Sequence, residues 1–133
     1  MAETYPFESL DFLYTPSRDV AADVKQFSEI GAEVVFAIEA FGARVAMVRL
    51  ADGPPDLVLA DHLGSERPIL VYRVAELGLA AAELRRRGSE VSAQFGIPHG
   101  PCCELTTPGG HRIAIYELTR PDAAEHLAGR RDF

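Results

Sequence analysis

The chain repeats itself. Gly31-Ala-Glu-Val recurs as Gly88-Ser-Glu-Val at an offset of 57 residues, and without any gap the same offset lays Phe12 on Ile69, Asp19-Val20 on Glu76-Leu77 and Phe27 on Leu84. An internal repeat constrains a fold more than any single segment, because both copies must build the same unit. In the first copy, residues 10–15 read as a short apolar strand, and Pro16-Ser17-Arg18-Asp19 reads as a turn with Ser17 or Asp19 as helix cap. Val20, Val24, Phe27 and the nearby Ile30 then recur at helical spacing until Gly31 stops the run. Residues 33–40, 44–50 and 57–60 read as three strands, separated by Gly42 and by Asp52-Gly-Pro-Pro. The second copy gives a strand at 69–74, a helix carrying Leu77, Ala81 and Leu84 that closes at Gly88, and strands near 90–95, 102–107 and 112–118. The unit is βαβββ, so the class is α+β. One domain of 133 residues holds a first module over 9–63, a second over 67–118 and a tail over 119–133, predicted helical from Pro121 to about 130. Phe12, Val20, Val24, Phe27, Leu77, Leu84, Ile113 and Ile115 are the expected core. One helix cannot cover both faces of four strands, so each module leaves an apolar face for the other copy or another chain.

Charge narrows the partners. Thirteen Lys and Arg against twenty Asp and Glu give a net charge of −7, which repels phosphate backbones and anionic lipid, so nucleic acid and membrane are not expected partners. Glu39, Arg44, Arg49, Asp52 and Asp56 interrupt the most apolar stretch, well short of the roughly 18 apolar residues that cross a bilayer. The acidic start, Met1-Ala-Glu-Thr-Tyr-Pro-Phe-Glu, does not read as a signal peptide, and the expected compartment is the cytoplasm. Cys102 and Cys103 are adjacent, a spacing that disfavours a mutual disulfide, and read as reduced thiols.

Thr107-Pro-Gly-Gly-His-Arg-Ile-Ala-Ile-Tyr-Glu, together with Asp19 and the Phe27 helix within the gapless repeat, resembles the vicinal oxygen chelate superfamily of glyoxalases, bleomycin-resistance proteins and extradiol dioxygenases. The resemblance covers roughly residues 9–118. It implies two βαβββ modules whose curled mixed sheets enclose a cavity, commonly in a homodimer. It also implies a divalent metal held by His, Gln or Glu on the first and last strand of each module. Those positions map here to Phe12, Ile69, Ala114 and Leu59, or Val58 if the short loop differs by one residue. All are apolar, whereas divalent ions need oxygen, nitrogen or sulfur lone pairs. No metal and no cofactor is therefore expected.

Other residues could carry chemistry. His99, Cys102, Cys103 and His111, with His62 and Glu117 near in the repeat, could form an unconventional zinc site, although no paired Cys-x-x-Cys or His-Glu-x-x-His motif is present. Ile97-Pro-His-Gly-Pro reads more simply as a turn with His99 solvated. Cys102 as a nucleophile would need a base beside it, and Asp61-His62 could reach a cavity rim as a general base. Arg85-Arg86-Arg87 reads as a solvated helix end. Alternation places Arg112, Ala114 and Tyr116 on one face, with Arg112 and Tyr116 as polar anchors for a ligand or as structural groups. Which of Tyr14, Tyr72 and Arg73 faces inward is left open. The expected function is a metal-free binder, for sequestration or resistance, that holds a small organic molecule among Phe12, Leu59, Ile69, Arg112, Ala114 and Tyr116. The alternative is a metal-dependent lyase or dioxygenase of the same superfamily with displaced ligands.

Overall fold

The computed structural model describes residues 5–40, 42–64 and 66–133, so the first four residues of the acidic start lie outside it. β1 (Ser9–Pro16), α1 (Val20–Glu29), β2 (Glu33–Ala40), β3 (Ala43–Arg49) and β4 (Asp56–Ala60) are followed by β5 (Ile69–Val74), α2 (Leu77–Arg86), β6 (Phe95–Ile97), β7 (Gly100–Thr106) and β8 (Arg112–Glu117), with α3 (Ala123–Leu127) behind them. The strands form one mixed sheet in the order β2-β3-β4-β1-β5-β8-β7-β6. Both modules are βαβββ, and they meet where β1 pairs antiparallel with β5. In that pairing Leu13 lies opposite Leu70, its own equivalent at an offset of 57, so the repeat read in the sequence is an approximate twofold axis between two strands.

The helices form for local reasons, and their ends differ. Asp19 caps α1, its Oδ1 accepting the Ala22 amide at 3.0 Å. Its equivalent Glu76 makes no such bond, and the Leu77 amide at the start of α2 donates instead to Glu117 Oε1 of β8 at 2.9 Å. Both helices run out at a glycine with positive φ, Gly31 at 102° and Gly88 at 96°, a conformation that costs other residues. Under α1 lie Val20, Val24, Ala37, Ala46 and Leu59; under α2 lie Val74, Leu77, Ala81, Cys103 and Ile115. The opposite, concave face gathers Phe12, Phe36, Met47, Val58, Ile69, Val71, Cys102, Ala114 and Tyr116. Of the eight expected core residues, Phe12, Val20, Val24, Leu77 and Ile115 are buried, whereas Phe27 and Leu84 are half-buried at the margins of the helix contacts and Ile113 is half-buried.

Three expectations are corrected. The strand expected near 90–95 is β6, shorter and later, because Ser92 pins the preceding segment with its backbone amide on the Glu104 carbonyl at 2.8 Å and its hydroxyl on the Glu104 amide at 2.9 Å. The tail helix spans five residues. Beyond it the chain becomes a strap: Gly129 donates to Val35 at 2.8 Å, Ala37 to Arg130 at 2.9 Å and Asp132 to Ala37 at 2.6 Å, with a parallel bridge between Ala37 and Arg131. The strap thus leaves β8 near one end of the sheet order and fastens to β2 at the other, which requires the sheet to curl. Leu118 and Leu127 pack onto the concave cluster on the way. Third, Leu59 faces α1 and Val58 the concave side, which follows the one-residue difference in the β3–β4 loop.

Candidate ligand-binding cavity

Strand alternation builds the concave face in rows. Val58, Tyr14, Ile69 and Arg112 lie across β4, β1, β5 and β8, and the next row holds Phe12, Val71, Ala114 and Glu104. Between β1, β5, β8, β7 and β6 part of each row lines a cavity of about 310 Å³, with Ile69, Val71, Ala114, Leu63, Phe95 and Ile97 as apolar walls. Its polar groups are Tyr14, His62, Cys102, Glu104 and Arg112. Volume and composition are at the lower end for small-molecule sites.

Arg112 Nε donates to Glu104 Oε1 at 2.7 Å, and its Nη1 to the Leu63 carbonyl at 3.3 Å. Cys102 is buried, its thiol pushed up to about 12 by desolvation first and by Cys103 and Glu104 second, and it makes a weak 3.8 Å approach to the Cys103 carbonyl. A thiol so shifted is protonated at neutral pH, the reverse of what a nucleophile needs. Tyr14 also ionises less readily than an ordinary phenol, through burial and then the neighbouring Cys102.

Ile69, Arg112 and Ala114 line this cavity. Phe12 lies on the concave face outside its lining, under the ring of His99 at 4.6 Å. Tyr116 is buried with its hydroxyl donating to Asp11 of the β1 bulge, which makes it a structural group; burial, then that bond, raises its pKa. Leu59 is on the far side of the sheet. Tyr14 faces the cavity and Tyr72 packs under α2. Sequence reading passed over Glu104, Val71, Leu63, Phe95 and Ile97. The alternation that places Ala114 inward also places Glu104 inward, since the two are registered neighbours.

His99 is not solvated. It is 7% exposed, stacked on Phe12 and near Tyr116, and its Nδ1 has no partner among the described residues. Desolvation lowers its pKa, with Asp11 and Asp56 pulling the other way and Arg120 adding to the lowering. Its carbonyl accepts from Thr119 and Arg120, while the Arg120 side chain holds the Ile97 and Pro98 carbonyls at 2.7 Å.

A divalent ion does not fit these residues. Phe12, Val58, Ile69 and Ala114 offer no donor, and among the described residues no three His, Cys, Asp or Glu side chains are grouped so as to hold a metal. The unconventional set is dispersed: Cys103 is under α2, Glu117 caps α2, His111 is exposed, and His62 stands at the cavity rim. Arg86 and Arg87 at the end of α2 pair with Glu83, while Arg85 holds the Val91 and Ser92 carbonyls. No described helix is long and apolar enough to cross a membrane.

Solved proteins share this architecture. Methylmalonyl-CoA epimerase from Mycobacterium tuberculosis matches with a TM-score of 0.70 at 20% identity, over 93% of this chain and 97% of that one. A glyoxalase/bleomycin resistance protein/dioxygenase superfamily member from Vibrio splendidus 12B01 gives 0.62 at 14% identity, over 80% and 96%. Catechol 2,3-dioxygenase gives 0.60 at 21%, over 81% of this chain and 39% of that longer one. No family model and no curated protein matches the sequence. At these identities the likeness is one of fold: the chain has the architecture of the vicinal oxygen chelate superfamily, which its repeat and its Thr107-to-Glu117 segment resemble.

Proposed function

We propose that the protein is a metal-free, cytoplasmic binder of a small, largely apolar organic molecule, seated in the concave cavity. One observation carries the reading: the concave positions where the resemblance implies metal ligands hold Phe12, Val58, Ile69 and Ala114, and the adjoining cavity is walled mainly by hydrocarbon. An apolar guest there gains roughly 25 cal/mol for each Å² removed from water. With the Tyr116 hydroxyl committed to Asp11 and Arg112 to Glu104, polar orientation falls to Tyr14.

The test is fluorescence titration with 2-methylnaphthalene, before and after EDTA. Binding should survive chelation and weaken at least tenfold in Ala114→Glu, which puts an unpaired carboxylate into the apolar wall. Loss of binding on chelation, unchanged affinity in the variant, or stoichiometric Fe, Zn, Ni or Mn in protein purified without chelator would overturn the reading. We take the protein to be a homodimer in solution. The strap occupies β2, so the edge left to a second copy is β6, where Phe95 is 43% exposed. Light scattering giving about 14.5 kDa at micromolar concentration would contradict the dimer.

A further inference from the structure

The charged groups of the cavity are already spent on each other. Arg112 and Glu104 sit side by side on β8 and β7, each about one-fifth exposed, and their bond at 2.7 Å leaves the wall with no net charge. A charged guest would lose its hydration and find no free counter-charge in exchange. The Tyr14 hydroxyl is in the opposite condition. It has no hydrogen bond among the described residues, and its side chain lines the cavity. The Cys102 thiol beside it is a weak donor. We infer that the cavity selects uncharged ligands, with the Arg112–Glu104 pair excluding ions of either sign and Tyr14 donating its hydroxyl proton to one oxygen or nitrogen acceptor on the ligand. Burial keeps that phenol protonated, and so a donor, across the physiological range.

This inference rests on the binding reading above, and the experiment separates the two. Four probes share one ring system: 2-methylnaphthalene, methyl 2-naphthoate, 2-naphthoate and 2-naphthylmethylammonium. The wild-type protein should bind the ester most tightly, and the anion and cation at least tenfold more weakly. Tyr14→Phe should weaken the ester about three- to tenfold, the range of one hydrogen bond, and leave 2-methylnaphthalene unchanged. Glu104→Gln frees the Arg112 charge at constant shape and should raise affinity for 2-naphthoate at least tenfold. Equal binding of ester and either ion by the wild type, a Tyr14→Phe effect of equal size on ester and hydrocarbon, or no gain for 2-naphthoate in Glu104→Gln would each overturn the inference while 2-methylnaphthalene binding upheld the reading beneath it. Should Glu104→Gln fail to fold by circular dichroism, the first two comparisons still decide. If no probe binds, the binding reading falls and this inference with it.

Discussion

His99 occupies a place where a proton is unwelcome. Its ring is packed on Phe12, Asp11 and Asp56 attract the charged form too weakly to offset burial, and Arg120 repels it. The folded chain therefore holds the imidazole neutral below its ordinary value of 6.5, while the unfolded chain takes up a proton near that value. The resulting stability is present in full above 6.5 and is lost as pH falls through the lowered folded value. The urea midpoint should drop between pH 7 and 5, and His99→Phe, which keeps a ring on Phe12, should flatten that drop; equal slopes would remove His99 as the cause. Asp11 makes the matching case for a polar group with its partners in place. The β1 bulge turns it toward Tyr116, and Ser9 and Arg73 complete its surroundings. Tyr116→Phe should cost about 1–2 kcal/mol in chemical denaturation, because the carboxylate stays half-buried with one donor fewer.

At the scale of elements, the two helices begin in different ways, and the difference is measurable. Asp19→Ala removes a local cap from α1, and Glu117→Ala removes the acceptor that β8 lends to α2. Each should cost about 1 kcal/mol, with Glu117→Gln recovering most of the second loss. Such lending is also what sequence reading cannot see. β2, β3 and β5 were legible because apolar, β-branched stretches lay between glycine or proline breaks, and the helices because Gly31 and Gly88 closed them. The strand expected near 90–95 starts later, as β6, because the Ser92 hydroxyl takes the place of a backbone carbonyl as acceptor for the Glu104 amide. The choice between Leu59 and Val58 turned on a single residue of loop, and a one-residue slip reverses every side chain of a strand. Ile97-Pro-His-Gly-Pro has turn composition, and the partners that pack on the His99 ring, Phe12 and Tyr116, are distant in sequence. The cavity was half legible: alternation put Ala114 and Arg112 inward, but the pairing of Arg112 with Glu104 depends on the β7–β8 register.

The whole molecule is one curled sheet tied across its ends. The strap bonds Val35, Ala37 and Glu39 of β2, the last through Asp132 Oδ2 at 2.9 Å, and Phe133 tucks beside the α1 core under the Arg44 guanidinium at 5.0 Å. Removing residues 129–133 should leave the Ala37 and Glu39 amides exchanging with solvent at edge-strand rates, while amides of the central β1–β5 pair keep their protection. Hydrogen exchange measures both, and unchanged protection at Ala37 would mean that the strap does not hold the edge. The arrangement also sets a timetable for the newborn protein. Glu39 waits for a partner 93 residues downstream, and at roughly 5–20 residues per second of synthesis this wait is about 5–20 s. For that interval β2 offers open hydrogen-bonding groups to any neighbouring nascent chain, so the ribosome, rather than the finished protein, is where this fold is most exposed to mispairing.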